Sequence, residues 1–480
     1  MIGIELNEEN FEYDIYSLVK AFYPEEEITR VTEGEGWEGF LVKVNYQLGL
    51  VVVEVTSDNK ARLTETIEIK GMDRKEVKST LKRALYSIFS GLTKKTLPWG
   101  TLTGIRPTKI PFSMLLEGKT EEEIASYMQE TYLAGKEKTA LSIEIAKREQ
   151  EILRNIDYKE GYSLYIGIPF CPTRCLYCSF TSYPFKVWEK RVDSYVDALC
   201  KEIGFVADRL KGRKLNTLYI GGGTPTTLTA GQMERLLFVI RDNFDFSFNQ
   251  EFTVEAGRPD SITEEKLLAM KRYGVSRISI NPQTMKQETL DLIGRKHTVG
   301  QAKEAFYLAR KCGFDNINMD LISGLPEENH KDMEHTMQEI AALKPDSVTV
   351  HALAIKRASR LNELWEEYKG SMGVLQEETA QMMEQYAREM GLLPYYLYRQ
   401  KNMAGNLENV GYAAPGKAGI YNILIMEEKQ TIVAGGAGSI SKRVYPDGRI
   451  ERSENVKDVA LYIQKIDEMI ERKRKLLTDF

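Results

Sequence analysis

Residues 163–180 read SLYIGIPFCPTRCLYCSF. An apolar run ends at Phe170, and three of the five cysteines in the chain, Cys171, Cys175 and Cys178, follow it directly. A short apolar run bounded by a turn signal is typical of a buried strand. The stretch therefore predicts a strand that delivers three thiols to the loop at its carboxyl end.

Apolar runs of the same kind recur after this stretch, and each is followed by a longer amphipathic segment. The runs cover residues 217–223, 252–257, 277–283, 317–326 and 347–353. Strands that alternate with helices predict an α/β fold, in which a parallel sheet is covered by helices. Both faces of such a sheet are buried, which agrees with the nearly continuous apolar character of the runs.

Polar residues or glycines stand at the carboxyl ends of the runs: Cys171, Gly221–Thr224, Glu255, Gln283, Asp320 and His351. In barrel-type α/β proteins this edge of the sheet carries the active site. We therefore expect these residues to surround one site. We interpret His351 as a hydrogen-bonded structural histidine rather than a catalytic one.

The composition is that of a globular protein, and a length of 480 residues predicts two to four domains of about 150 residues each. The net charge of −5 argues against a nucleic-acid partner. The first residues lack the pattern of a signal peptide, and no apolar run reaches the ~18 residues of a membrane span. We expect a reducing, cytoplasmic location, where clustered cysteines are more often metal ligands or redox groups than disulfides.

The sequence patterns divide the chain into four segments, which are residues 1–95, 96–160, 161–385 and 386–480. The first is predicted to be a small α+β domain with a hairpin at 39–57 and a helix at 74–92. The second is a connector with helices, and the third holds the repeats of strand and helix. The fourth is predicted to be a loop-strand cap with a charged terminal helix at 454–475.

The cysteine spacing is Cys-x3-Cys-x2-Cys, which suits an iron–sulfur cluster. Three thiolates can hold three irons of a [4Fe–4S] cluster and leave the fourth iron open to another ligand. Zinc is the competing interpretation, but a structural zinc site usually needs four ligands, and no second pair of cysteines exists here. The remaining alternative is that the three cysteines are incidental.

Three further features could bind a ligand at the same edge. The stretch GGGTPT at 221–226 is either a tight turn or a set of glycines that expose backbone groups to a bound amino acid. Glu255, Gln283 and Asp320 could each cap a helix, but together they suit a ligand with an ammonium group and ribose hydroxyls. Arg295 could bind a carboxylate in bidentate fashion, with a surface salt bridge as the alternative.

The cysteine spacing, with Tyr177 just before the last cysteine, resembles the signature of the radical SAM superfamily. Later motifs resemble those of the oxygen-independent coproporphyrinogen III dehydrogenase family: GGGTPT, NMDLISGLP, RQKNMAGNLENVGYAAPGK and GGAGSISK. The GIRPTK connector and the long N-terminal region are similar to the HemZ-type branch of that family. The superfamily resemblance covers roughly residues 160–445, and the branch resemblance covers nearly the whole chain.

The resemblance implies a partial (β/α)6 TIM-like barrel with an N-terminal α+β domain and a C-terminal capping segment. It also implies a [4Fe–4S] cluster, held by Cys171, Cys175 and Cys178, and one or two molecules of S-adenosylmethionine. The positions that match contacts of the cluster-bound S-adenosylmethionine are Tyr165, Gly222, Glu255 and Ile440. Those that match contacts of a second molecule are Tyr177, Gly223, Thr224, Gln283, Arg295, Asp320 and Ala352. The catalytic candidates are Tyr165, Glu255 and Arg295.

The implied reaction is the oxidative decarboxylation of two propionates of coproporphyrinogen III to vinyl groups, which gives protoporphyrinogen IX. In the superfamily, one electron from the cluster cleaves S-adenosylmethionine, and the 5′-deoxyadenosyl radical removes a hydrogen from the substrate. A substrate with four carboxylates needs cationic partners, for which the candidates are Arg106, Lys109, Arg399 and Lys401. The implied protein partner is an electron donor such as flavodoxin or ferredoxin.

Other functions stay open on the sequence. Phe180 stands where some relatives carry a further cysteine, and the form CxYCxF also occurs in a sister group that resembles heme chaperones. The chain could therefore be a heme-binding chaperone, or another radical SAM enzyme that acts on heme or on tRNA. The acidic balance and the lack of a cluster of aromatic and basic residues argue against tRNA.

Overall fold

The computed structural model describes residues 1–32, 36–56, 62–104, 106–373, 377–400, 407–478 and 480. It separates into two compact units, Met1–Lys147 with Tyr398–Glu408 and Arg148–Leu397 with Asn409–Phe480. The division into four segments stays a prediction. Lys401, one of the expected substrate ligands, lies outside the described residues.

The first unit is built on a five-stranded sheet. Its strands are β1 (Ile2–Leu6), β2 (Ile28–Val31), β3 (Phe40–Gln47), β4 (Leu50–Thr56) and β5 (Arg62–Glu68). The order is β2-β1-β3-β4-β5, with β1 parallel to both of its neighbours and β4 antiparallel to β3 and β5. The predicted hairpin is confirmed as β3 and β4, whose alternate residues are buried on one face.

The helices of this part of the chain are α1 (Glu12–Phe22), α2 (Arg74–Thr93), α3 (Lys109–Leu116), α4 (Glu121–Tyr132) and α5 (Lys136–Arg154). Of these, α1 and α2 pack on the sheet, whereas α4 and α5 share a separate small apolar cluster. The predicted helix at 74–92 is confirmed as α2, and a capping box between Asp73 and Glu76 fixes its first turn. Phe22 of α1 and Phe89 of α2 lie 5.6 Å apart between ring centroids. They share one apolar core with the valines of β3 and β4.

The strands from β6 onward are β6 (Gly161–Ile168), β7 (Phe170–Cys171), β8 (Tyr183–Pro184), β9 (Lys214–Gly222), β10 (Glu251–Gly257), β11 (Arg277–Gln283), β12 (Ile317–Ser323), β13 (Ser347–Ala352), β14 (Leu393–Tyr398), β15 (Asn409–Ala413), β16 (Thr431–Gly435), β17 (Ile440–Val444) and β18 (Ile450–Glu454). The helices among them are α6 (Phe185–Trp188), α7 (Val192–Arg209), α8 (Ala230–Asn243), α9 (Glu264–Arg272), α10 (Gln287–Leu292), α11 (Val299–Lys311), α12 (His330–Leu343), α13 (Arg360–Glu363), α14 (Trp365–Tyr368), α15 (Glu377–Glu389), α16 (Ile420–Glu427), α17 (Val459–Gln464) and α18 (Ile466–Leu476).

The second unit carries the predicted parallel sheet. Strands β13, β12, β11, β10, β9 and β6 are successive neighbours and run parallel, and helices connect them. This arrangement is the expected partial (β/α)6 barrel. Thr229, Thr298 and Asn329 begin capping boxes at α8, α11 and α12, so the sequence itself specifies where these helices start.

The C-terminal segment extends the sheet at both ends. Strand β16 pairs in parallel with β6 and continues into the antiparallel strands β17 and β18, while β15 pairs antiparallel with β13. The predicted helix at 454–475 is wrong at its start, because the chain is a strand up to Glu454. The Asp458 side chain caps α17, and Lys465 interrupts the helical path before α18. No helix among the described residues is long and apolar enough to span a membrane.

A buried charge network ties this C-terminal segment to α7. The carboxylate of Glu202 accepts hydrogen bonds from the Gly436 amide at 2.8 Å and the Tyr462 hydroxyl at 2.6 Å. It also binds Asn455 Nδ2 at 2.8 Å and pairs with Lys473 Nζ at 2.6 Å. Glu202 and Lys473 are both fully buried, so each charge depends on the other.

We expect Glu202→Ala to lower the free energy of unfolding by about 3–5 kcal/mol, because Lys473 would keep a charge in a buried site without its partner. A urea melt followed by circular dichroism measures the loss. The adjacent variant Lys201→Ala is the control, since it removes an exposed ion pair with Asp467. We expect it to cost less than ~1 kcal/mol, and equal losses in the two variants would contradict the role of Glu202.

Candidate active site

Within each of the six parallel strands, one residue is half-buried while its neighbours are buried. These residues are Tyr165, Tyr219, Glu255, Asn281, Asp320 and His351. Strand β9 is also partly exposed at its two end residues. Tyr165 and Tyr219 are direct partners across β6 and β9. Aliphatic residues hold the alternate positions and therefore the opposite face. We call the face with the six residues the polar face, and it is the part of the sheet open to a ligand.

Three tyrosines stack on the polar face. The Tyr219 ring lies 4.6 Å from that of Tyr421, which is the second residue of α16, and 6.2 Å from that of Tyr165. The Glu251 carboxylate accepts hydrogen bonds from the backbone amides of Ile420 and Tyr421 and so fixes the start of α16. The three rings therefore form an aromatic wall held by a buried carboxylate.

Glu255 stands beside this wall. Its carboxylate accepts a hydrogen bond of 2.5 Å from the Tyr219 hydroxyl. Burial raises the pKa of Glu255 to about 7, with the charge of Asp320 adding to the rise and the Tyr219 hydrogen bond opposing it. A Cβ atom on Gly221 would lie only 3.0 Å from the Glu255 carboxylate, so glycine leaves room for it. This carboxyl can gain or lose its charge near neutral pH and favours a cationic ligand.

A chain of polar contacts continues across the remaining strands. Asn318 donates to Asp320 at 2.6 Å and to Ser279 at 2.9 Å, and Ser279 donates to Asn281 at 2.6 Å. The His351 Nε2 atom lies 3.8 Å from the Asp320 carboxylate. Burial acts against ionisation of Asp320, but the hydrogen bond and charge of His351 lower its pKa overall. Asp320 is therefore an ionised acceptor on the polar face.

The three cysteines lie on residues 171–178, which we call the cysteine loop. It follows β6 at the carboxyl edge of the sheet. Cys175 is buried, Cys171 and Cys178 are half-buried, and all three are free thiols. Two hydrogen bonds hold the loop against the turn after α10: Leu176 N to Ile293 O at 2.9 Å and Thr173 Oγ1 to Gly294 O at 3.0 Å. Burial raises the pKa of Cys178 to about 11, so this thiol needs a cationic partner to lose its proton.

The GGGTPT stretch lies against the cysteine loop. Gly222 has a φ of 111°, which favours glycine, and Gly223 donates its amide to Ile168 O at 2.8 Å. A Cβ atom on Gly223 would lie 2.6 Å from Phe170 O and 3.0 Å from the Cys171 sulfur. Thr224 Oγ1 donates to that sulfur at 3.5 Å. The glycines therefore permit close approach to Cys171, and their expected contact with S-adenosylmethionine stays a prediction.

Arg295 lies near Cys175 of the cysteine loop, and its guanidinium also reaches the backbone just before Gln283. Gln283 has a φ of 72°, an unusual value for a residue with a side chain, and its buried Oε1 atom has no hydrogen-bond partner among the described residues. Buried Arg295 donates to the backbone oxygen of Asn281 and lies near Tyr177 and Cys175. Burial opposes its charge, but the interactions with Tyr177 and Cys175 raise its pKa overall. A strained residue with an unpaired buried acceptor indicates a place for a ligand.

The other expected site residues are more scattered. Ala352 ends β13, where its amide donates to Asn409 at 2.9 Å, and Ile440 begins β17 with 44% of its surface exposed. In the first unit, Arg399 is buried, donates to the Leu102 carbonyl and lies over the Trp99 ring. Arg106 is half-buried, and Lys109 is exposed at the first position of α3. The roles of these residues stay predictions.

The sequence does not single out four residues of the site, which are Tyr219, Asn281, Tyr421 and Arg258. The last of these donates a hydrogen bond to Thr173 of the cysteine loop. Tyr219 and Asn281 lie two residues before Gly221 and Gln283, and polar side chains alternate with aliphatic ones along their strands. This period of two was a usable signal, because it places them on the same face as the residues at the strand ends. Tyr421 and Arg258 gave no such signal, since packing rather than periodicity brings them to the site.

Comparison with known proteins agrees with this geometry. A protein-family model described as "Radical SAM superfamily" matches residues 165–340. The oxygen-independent coproporphyrinogen-III oxidase-like protein HemZ of Bacillus subtilis is 44% identical over 411 residues, which cover 84% of this chain and 81% of that protein. The heme chaperone HemW of the same organism is 34% identical over 50% of this chain and 63% of its own.

A solved structure supports the fold. The coproporphyrinogen III oxidase HemN of Escherichia coli, described as a radical SAM enzyme, superimposes with a TM-score of 0.52 and 23% identity. The match covers 67% of this chain and 73% of that one. At this identity the likeness concerns the architecture alone, and it confirms the expected radical SAM barrel.

Radical SAM proteins use a [4Fe–4S] cluster and S-adenosylmethionine, and the residues present fit both. Within the described residues, no three Cys, His, Asp or Glu side chains converge on a point that would suit one metal ion. A cluster does not require such convergence, because it holds its cysteines through separate irons. Cys171, Cys175 and Cys178 would supply the thiols and Glu255 a carboxylate for a cationic ligand, and these assignments stay predictions. The chain belongs to the radical SAM superfamily and, within it, to the family of the oxygen-independent coproporphyrinogen-III oxidase-like protein HemZ.

Proposed function

We propose that this protein oxidatively decarboxylates two propionates of coproporphyrinogen III to vinyl groups and so makes protoporphyrinogen IX in the cytoplasm. The observation that carries the proposal is the polar face, where six neighbouring strands present one half-buried residue each, next to a loop with three free thiols. Such a site suits chemistry on a bound molecule inside the barrel. The name and the 44% identity of the Bacillus subtilis HemZ protein support the choice of substrate.

When bound, the cluster and S-adenosylmethionine supply a one-electron cleavage that yields a radical able to remove a hydrogen atom. The residues of this chain bind and orient. Ionised Glu255 would hold the ammonium group or the ribose hydroxyls of S-adenosylmethionine, and Tyr219 fixes the carboxylate by its hydrogen bond. The rings of Tyr165, Tyr219 and Tyr421 exclude water from that side.

The proposed reaction converts a propionate to a vinyl group in a balanced sequence. A hydrogen atom leaves the carbon next to the ring, the carboxylate leaves as CO2, and one remaining electron passes to an acceptor. Arg295 could bind a carboxylate of the substrate or of a second S-adenosylmethionine. We expect Arg106, Lys109 and Arg399 to bind the other propionates, and of these three side chains Lys109 is the exposed one.

The surface beside the cysteine loop supports an acidic protein as the electron donor. Flavodoxins and ferredoxins are acidic proteins of this kind. Phe180 and Val187 are exposed by 68% and 76%, and Lys356 lies 5.8 Å from the Phe180 ring centroid. Further exposed cations flank them, namely Lys186, Lys190, Arg191, Arg357 and Arg360. Although the whole chain has a net charge of −5, this local excess of positive charge would favour an acidic partner.

We expect reduction of the cluster by such a donor to slow as the salt concentration rises, because salt screens the attraction between opposite charges. A reduction rate that does not depend on salt would contradict this docking.

Heme binding without turnover is the second candidate function. The similarity to HemW, a heme chaperone, and the aromatic Phe180 after the last cysteine favour it. In that case the cluster would be retained, and the barrel would hold heme rather than a porphyrinogen.

One anaerobic experiment separates the two functions. The cluster is reconstituted, and reductant, S-adenosylmethionine, a one-electron acceptor and coproporphyrinogen III are added. The proposal expects CO2 and a divinyl product together with cleavage of S-adenosylmethionine. Cleavage without a porphyrin product would overturn it, and stable one-to-one heme binding without turnover would favour the chaperone function.

A further inference from the structure

Arg258 makes a set of buried contacts that the proposed reaction does not explain. It directly follows β10 and is only 3% exposed. Its Nε and Nη2 atoms donate to the two carboxylate oxygens of Asp260 at 2.9 and 2.8 Å. Its Nη1 atom donates to Thr173 Oγ1 at 2.8 Å and lies 3.9 Å from the sulfur of Cys175.

These contacts connect the guanidinium directly to the cysteine loop. Thr173 lies between Cys171 and Cys175 in the sequence, so its hydrogen bond with Arg258 anchors the middle of the loop. Arg258 is buried and Asp260 is partly exposed to solvent, and the bidentate geometry of the pair holds Nη1 at a fixed distance from the sulfur. Arg258 is therefore a permanent positive charge beside one expected cluster ligand, and Asp260 is its partly compensating negative charge.

We propose that Arg258 and Asp260 are positioning residues that set the reduction potential of the [4Fe–4S] cluster at Cys175. Reduction adds one negative charge to the cluster. A buried cation near a ligand sulfur stabilises the reduced form, and the partly exposed anion paired with it weakens that stabilisation to a smaller extent, because water screens its charge. Hydrogen bonds to the sulfurs and local charge are the means by which proteins tune such clusters. The inference needs the cluster but does not depend on which porphyrin or heme is bound.

Two nearly isosteric substitutions test the proposal through opposite expected shifts. Arg258→Gln removes the cation, so the midpoint potential should fall. Asp260→Asn keeps a hydrogen-bonding partner for Arg258 but removes the anion, so the potential should rise. At a fixed solution potential near the midpoint, we expect the ratio of reduced to oxidised cluster to fall about tenfold in Arg258→Gln, which corresponds to 59 mV for a one-electron couple. In Asp260→Asn the ratio should rise by a smaller factor, because water screens the partly exposed carboxylate.

The measurement is a redox titration of the reconstituted protein followed by electron paramagnetic resonance, without substrate or turnover. Arg272→Gln is the matched control, because it removes an arginine from an exposed pair with Glu234 at the far end of α9. Its potential should equal that of the unmodified protein. If Arg258→Gln does not retain iron, two other variants decide the question. Arg258→Lys keeps the positive charge, so its midpoint potential should be almost unchanged. Asp260→Asn should have a raised midpoint potential. An unchanged or lowered potential in Asp260→Asn would overturn the proposal, since a purely structural role gives no rise.

Discussion

We expect Cys175→Ala to lose the iron–sulfur cluster and all reductive cleavage of S-adenosylmethionine. Cys175 is the buried member of the three free thiols, and its backbone oxygen accepts the amide of Cys178 at 3.2 Å. A [4Fe–4S] cluster with three cysteines has no spare protein ligand, so two thiols would hold it poorly. Iron content and the amount of 5′-deoxyadenosine formed under reductant measure the effect.

The matched control for this substitution is Cys312→Ala. Cys312 is also a buried free thiol, but it directly follows α11 rather than lying on the cysteine loop. We expect it to keep the iron content and cleavage rate of the unmodified protein. Iron and cleavage that survive in Cys175→Ala, or are lost equally in both variants, would show that the cluster is held elsewhere.

The second large effect is expected at Glu255. Glu255→Gln keeps the shape of the side chain but removes its charge, and a hydrogen bond to a charged group contributes about 1.5–3 kcal/mol. The dissociation constant of S-adenosylmethionine should therefore rise about ten- to a hundredfold. Isothermal titration calorimetry on the cluster-containing protein measures it. Tyr219→Phe is the control when binding is measured well above pH 7, where Glu255 keeps its charge although the supporting hydrogen bond is gone.

The pH dependence of this binding gives an independent check. Burial raises the pKa of Glu255 to about 7 in the free protein, and the ammonium group of the ligand pairs with the ionised form. Affinity should consequently be constant above pH 7 and fall about tenfold per pH unit below it. In Glu255→Gln this fall should vanish. The same pH profile in both proteins would contradict the contact between Glu255 and the ligand.

The parallel sheet and part of the site could be predicted because both depend on local patterns. Aliphatic residues such as Leu164, Ile220 and Val254 fill alternate positions of the strands and mark them as buried. Glu255 and Asp320 stood out because they interrupt apolar runs near the carboxyl edge. The sequence alone does not mark Tyr219, because a tyrosine within an apolar run is usually part of the core.

The rest of the site depends on contacts between residues far apart in the sequence. Tyr421 reaches the polar face only because Glu251 caps α16 there, and no local pattern encodes that pairing. Arg258 meets Cys175 because the turn after β10 folds against the cysteine loop. The C-terminal segment likewise joins the sheet through pairing of β16 with β6, which periodicity cannot reveal.

If this barrel removes hydrogen atoms from the propionate side chains of a porphyrinogen, as we propose, those atoms pass to 5′-deoxyadenosine. The most direct measurement uses coproporphyrinogen III with deuterium on the propionate carbons next to the rings. Under anaerobic turnover with S-adenosylmethionine and reductant, we expect one deuterium in each 5′-deoxyadenosine formed and two vinyl groups in the product. If the 5′-deoxyadenosine contains no deuterium and the substrate is recovered unchanged, the propionates are not the source of the hydrogen atom and the proposed reaction is wrong.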